Sequence, residues 1–126
     1  MKKQTGFTLI ELVAVLVILA LLGAMAVPRF ASIQGDALRA AQDGSSNAVK
    51  SAHSIAIANL RRAPDVTELI GYVGGETPVV AVAGGVQVTI NTLPYTVPTF
   101  QDGACTAGNE TTAAVAQPVL CVGSIP

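Results

Sequence analysis

The chain has 126 residues, 51% of them hydrophobic and 12% charged, with a formal net charge of −1. That length has room for one domain, and once the apolar start is set aside fewer than about a hundred residues remain for a core. The cations beyond the first few residues, Arg29, Arg39, Lys50, Arg61 and Arg62, are scattered rather than gathered in a patch, which speaks against a nucleic-acid partner.

Residues 1–6 form a short basic head carrying Lys2 and Lys3, and residues 7–27 are an apolar run whose one charge is Glu11. A helix over that run spans about 31 Å, enough for a hydrocarbon core of ~30 Å. The two lysines hold the head on the cytoplasmic side and place the C-terminus outside. A cleaved secretory signal is an alternative, because Ala24 and Ala26 imitate an A-x-A site. Pro28 removes a helix hydrogen bond and Gly23 lowers helix propensity one turn earlier, so the helix is weakest between them. That stretch is expected as a fixed kink, or as a segment that unwinds on leaving lipid.

From residue 30 the apolar positions Phe30, Ile33, Ala37, Ala41, Gly44, Ala48, Ala52 and Ile55 recur at helical steps, predicting one helix from residue 7 to about 61 and roughly 80 Å long. Asp36 with Arg39, and Arg39 with Asp43, are spaced as ion pairs on its wet face. Ala63-Pro64-Asp65 stops this helix, and Asp65 with Glu68 reads as a capping box for a short turn through Ile70. Three β-branched runs follow, "PVVAVA", "VQVTIN" and "YTVPTF", the first two joined by Gly84 and Gly85. Pro98 inside the third argues for an edge strand. A last strand is expected in "PVLCV".

Cys105 and Cys121 lie close together in a chain with an export-like start, which favours a disulfide in an oxidising compartment over two free thiols. The enclosed loop is small and polar at its start and is expected to be solvated; Asn109-Glu110-Thr111 within it fits a glycosylation sequon. His53 is the one histidine. Its neighbours at four residues are Val49 and Ile57, so it is expected as a solvated helix residue. No catalytic constellation, cofactor motif or metal-ligand cluster emerges, and the chain is not expected to be an enzyme.

The stretch "KKQTGFTLIELV" resembles the signal of type IV prepilins and pseudopilins: a basic leader, Gly6, Phe7, and Glu11 at the head of an apolar helix. "PRFASIQGDALRAAQ" is similar to the segment that follows in pilins of the mannose-sensitive haemagglutinin (MSHA) type. The resemblance implies an α+β pilin "lollipop", a long N-terminal helix carrying a small antiparallel sheet and a C-terminal disulfide-bounded region. It divides the chain into a leader at 1–6, a membrane and filament-core helix at 7–28, and a head at 29–126. It implies cleavage between Gly6 and Phe7 by a prepilin peptidase and N-methylation of Phe7. The Glu11 carboxylate of an incoming subunit would then attract the Phe7 amine of the last subunit, setting register in a filament of identical copies. Implied partners also include the assembly ATPase and its platform. The expected location is the bacterial inner membrane for the precursor and an extracellular pilus for the assembled subunit. Alternatives are a pseudopilin of a type II secretion system and a minor pilin for tip, priming or DNA uptake.

Overall fold

The computed structural model describes residues 6–75, 78–112 and 116–126, and the side chains of Pro28 and Ala31 also lie outside the described set. Lys2 and Lys3, on which the orientation argument rests, fall outside it too. The chain divides into two compact units, Met1–Ala37 and Leu38–Pro126. Helix α1, Leu9–Leu60, supplies the whole of the first unit's regular structure and the opening of the second. It is helical through Gly23 and Pro28.

In the second unit, α1 is followed by α2, Val66–Ile70, and by strands β1 (Val80–Val82), β2 (Gly85–Ile90), β3 (Leu93–Phe100) and β4 (Cys121–Val122). The strands form one antiparallel sheet in the order β1-β2-β3-β4. The α+β class expected from sequence is what the chain adopts. Its core is aliphatic and small: Val49 and Ala52 from α1, Val66 and Leu69 from α2, Val86, Val88 and Val97 from the sheet, and Val119 and Val122 from the last segment. Strand β2 alternates as a half-buried strand does, with Val86 and Val88 buried and Thr89 exposed.

The capping box at α2 is formed. Asp65 Oδ1 accepts the Glu68 N–H at 2.8 Å, and Glu68 Oε2 accepts the Asp65 N–H at 3.1 Å. Glu68 also pairs with Arg62, the single salt bridge among the described residues. The Arg39–Asp43 pair suggested by spacing is not made.

Four other expectations are corrected. The buried stripe of α1 in this unit runs through Ser46, Val49, Ala52 and Ala56, while Ile55 is 52% exposed and Gly44 and Ala48 are exposed. The β1–β2 turn is Ala83 and Gly84, because Val82 pairs with Gly85 and Gly85 already belongs to β2. A glycine is required there: φ is +151° and a Cβ would lie 2.1 Å from the Val97 carbonyl oxygen. Pro98 is not in an edge strand, since β3 has β2 on one side and β4 on the other. It is tolerated because its carbonyl, and hence its missing N–H, faces the side on which β4 is ending, where Gly123 N–H donates to Pro98 O at 2.8 Å. Finally, His53 is half-buried rather than solvated, and its Nε2–H donates to the Val119 carbonyl at 2.8 Å.

Candidate functional site

Helix α1 begins two residues after Phe7, and its first turn is closed by side chains. The Thr8 N–H donates to Glu11 Oε2 at 2.9 Å and the Thr8 hydroxyl donates to the same oxygen at 2.6 Å. Glu11 N–H returns towards Thr8 Oγ1 at 3.4 Å. This is a second capping box, with Thr8 at the N-cap and Glu11 at N3. A carboxylate here also meets the positive end of the helix dipole. The signature Thr-x-x-Glu of such a box stands in the sequence at Thr8 and Glu11.

Among the described residues of the first unit, nothing covers this end or the helix beyond it. Phe7 is 86% exposed, and Leu9, Ile10, Leu16, Leu22, Phe30 and Ile33 are all exposed too. A Cβ at Gly6 would meet nothing. The helix is long and apolar enough to cross a membrane. An apolar helix of this length with no packing partner of its own needs lipid or other copies around it.

The second candidate region is the cysteine-bounded segment. Cys105 and Cys121 form the expected disulfide, with Cα atoms 5.4 Å apart and a sequence separation of 16. The loop is not simply solvated. Thr111 is fully buried, its N–H donates to Thr99 O at 2.8 Å, and its hydroxyl meets that of Thr99. Its carbonyl in turn accepts the Gly84 N–H at 2.7 Å, tying the loop to the β1–β2 turn. The Asn109 carbonyl accepts the Gln101 N–H at 2.9 Å, so the sequon tripeptide is held as an added rung beside β3. Nearby, hydrogen bonding from Thr106 holds the Asp102 carboxyl below its usual range, and the Gly108 N–H does the same for Glu110. Residues 113–115 of the loop lie outside the described set.

The segment after Cys121 is pinned to α1 by side chains that sequence reasoning did not connect. Lys50 Nζ donates to Ser124 Oγ at 2.8 Å, and the Ile125 N–H donates to Ser46 Oγ at 3.0 Å. Ser46 is buried but satisfied, since its hydroxyl also donates to the Gln42 carbonyl at 2.9 Å. A groove of about 310 Å³, lined among others by Ala41, Gly44, Ala48 and Val88, opens beside α1 and has no titratable lining. Among the described residues no group of three or more His, Cys, Asp and Glu side chains could hold a metal ion.

Comparison with known proteins bears on the first of these regions. The family model described as the prokaryotic N-terminal methylation motif matches residues 1–27. A Thermus thermophilus protein named as the type IV narrow pilus major component PilA5 is 41% identical over 76 residues, which is 60% of this chain and 66% of that protein. The aligned part thus falls just short of two thirds of the relative's length. No solved structure gives a significant match.

Proposed function

We propose that this chain is the precursor of a structural subunit of a bacterial type IV pilus. The observation that carries the reading is the helix start: exposed Gly6 and Phe7, a capped Glu11 and an apolar stretch on which, among the described residues, nothing packs, in the part of the chain matched by the methylation family. In this reading residues 1–6 are removed, the new Phe7 amine is methylated, and the helix at 7–28 anchors the subunit in the inner membrane. On assembly the same helix moves into the filament core, with residues 29–126 as the head.

Glu11 then has two successive partners. Before assembly its carboxylate is occupied by Thr8 of its own chain. During assembly the Phe7 amine of a neighbouring copy takes it over, an exchange of neutral donors for a cationic one that also neutralises the charge. Burying an acid in lipid is costly unless it is paired, so both partners lower the cost of keeping it there. Gly23 and Pro28 mark the segment that loosens as the helix leaves lipid.

The relative's name as a major pilus component favours a main subunit over a minor pilin or a type II secretion pseudopilin. Similarity of residues 28–42 to MSHA-type pilins supports a filament for surface attachment. Mass spectrometry of the dominant protein in sheared surface fibres tests the proposal. It stands if that protein starts at methylated Phe7, and falls if fibres persist at normal abundance when this chain is deleted.

A further inference from the structure

The Asn109-Glu110-Thr111 sequon is left unused by the proposed function, and its outer residues are held in opposite ways. Asn109 is exposed, and its amide lies beside the Asp102 carboxylate. Thr111 is fully buried, its hydroxyl set against the hydroxyl and the carbonyl of Thr99. All three backbone carbonyls of the tripeptide accept hydrogen bonds from the head. Asn109 takes the Gln101 N–H at 2.9 Å, Glu110 the Gln101 side-chain amide at 3.3 Å, and Thr111 the Gly84 N–H at 2.7 Å. The Thr111 N–H is engaged by the Thr99 carbonyl at 2.8 Å.

A transferase that recognises Asn-x-Thr must reach both the asparagine amide and the threonine hydroxyl two residues on. In the closed head only the first can be reached. To present the second, Thr111 would have to leave Thr99 and Gly84, breaking bonds to polar groups that are otherwise buried and satisfied. The order of synthesis supplies an open state without that cost. Thr111 is made before Leu120, whose N–H donates to the Phe100 carbonyl at 2.9 Å, and before Cys121, which closes the loop onto Cys105. Until those residues arrive the loop has no closing bond at its far end.

We propose that Asn109 is an N-glycosylation acceptor controlled by folding, open on the unclosed chain and shut in the finished head. In the modification the Asn109 amide nitrogen attacks the anomeric carbon of a sugar carried on a polyprenyl diphosphate. A C–N bond forms, the bond from that carbon to the diphosphate oxygen breaks, polyprenyl diphosphate leaves with the electron pair, and the amide gives up one proton. The chain can still close afterwards, because the glycan stands in solvent at exposed Asn109 and the amide keeps one N–H for Asp102. Closure then buries Thr111 whether or not the sugar is present. The proposal needs export of the head, which the disulfide supports by itself, and does not depend on the filament reading.

The test is cell-free synthesis of the full chain in detergent micelles under oxidising conditions. A single-subunit oligosaccharyltransferase that requires only Asn-x-Thr, with its lipid-linked oligosaccharide, is supplied either during synthesis or after the chain has folded and oxidised. An unrelated acceptor peptide in each reaction reports that the enzyme is active, and intact mass reads the glycan. Modification is expected during synthesis, is lost in Asn109→Gln, and should be at least about tenfold slower after closure, the scale of two broken hydrogen bonds. Cys105→Ser keeps the sequon but frees the far end of the loop, and should narrow that gap several-fold. Equal rates in the two orders overturn the control by folding. No modification in either order, with the acceptor peptide converted, overturns the site itself. A gap unchanged in Cys105→Ser removes loop closure as its cause and overturns the proposal as stated.

Discussion

Thr8 and Glu11 hold each other at the start of α1: the threonine offers the carboxylate both its N–H, at 2.9 Å, and its hydroxyl, at 2.6 Å. The acid is thus not an idle charge in an apolar run. It stabilises its own helix start, and on the proposed reading it must change partner when copies assemble.

Glu11→Gln separates these roles. Glutamine also serves at N3 of a capping box, so the helix start should survive, and insertion into lipid should become easier. What is lost is the ion pair with a neighbour's amine, leaving that amine buried and unpaired at a cost of about 3–5 kcal/mol. Cells carrying the variant should accumulate processed subunit in the inner membrane and show few or no fibres by electron microscopy. Normal fibre numbers would remove the assembly role from Glu11.

The mature chain is expected to begin at Phe7. Among the described residues nothing lies within 4 Å of a Cβ placed at Gly6, and a glycine lets an enzyme's backbone approach closely. N-terminal mass spectrometry should find a methylated Phe7; a chain starting at Met1, or one cut after Ala26, contradicts the prediction.

Removing the disulfide should weaken the head without abolishing its fold. Loop closure contributes ~3 kcal/mol to so small a core. The loop is also tied by Thr111 to Thr99 and to Gly84, and these bonds survive reduction. Cys105→Ser is expected to lower the melting temperature while far-UV circular dichroism stays close to wild type. Loss of the sheet signal at room temperature would show that the cysteines carry more than this.

Acid should loosen the turn after α1. The bond from Arg62 holds the Glu68 carboxyl below its usual range, and the Thr67 hydroxyl does so for Asp65. A carboxylate with a depressed folded-state pKa stabilises the fold above its unfolded value, roughly pH 4, and loses that contribution as pH falls through the folded value. Melting temperature should therefore decline below about pH 4. The decline should be shallower in Glu68→Gln, and Asp65→Ala should cost about 1 kcal/mol at neutral pH through loss of the cap. An identical acid profile for Glu68→Gln and wild type would exclude this turn as a contributor.

Gly85→Ala is a further case where backbone geometry decides the outcome. With φ at +151° and the Val97 carbonyl oxygen 2.1 Å from the added carbon, the β2–β3 ladder must shift. Alanine at Gly84, at φ +90° but with nothing within 4 Å, should be the milder change of the two. Urea denaturation of both variants ranks them directly.

Much of the fold was legible because its signals are local. The apolar run, the Asp65–Glu68 cap, the alternation in β2 and the cysteine pair each announce themselves within a few residues. The phase of the α1 stripe was not legible. Small residues occupy several faces of that helix, and the face that is buried is chosen partly by Ser46, whose hydroxyl is satisfied by Gln42 and by Ile125 far along the chain. Asn91 and Thr92, both at positive φ, form the β2–β3 turn without the glycine that usually signals one. Pro98 misled because the rule for prolines in sheets concerns which side the missing N–H faces, and that depends on where β4 stops. At the candidate site, Gly6, Phe7 and Glu11 stand out through the resemblance to prepilins and their roles belong to the proposed function, whereas the contacts of Thr8 and His53 required atoms.

The pinning of the last segment to α1 sets a timetable for the head. His53 reaches Val119 across a separation of 66 residues, Lys50 reaches Ser124 across 74, and Ser46 reaches Ile125 across 79. Val119 and Val122 complete the core around Val49 and Ala52. As the chain is made, the second half of α1 emerges long before the residues that bury it. The apolar N-terminal run can enter a membrane while the head behind it is still open, and closure waits for the final segment to arrive. On the proposed reading, such a chain commits to its membrane first and to its globular shape last, with long-range contacts that make the second step slow.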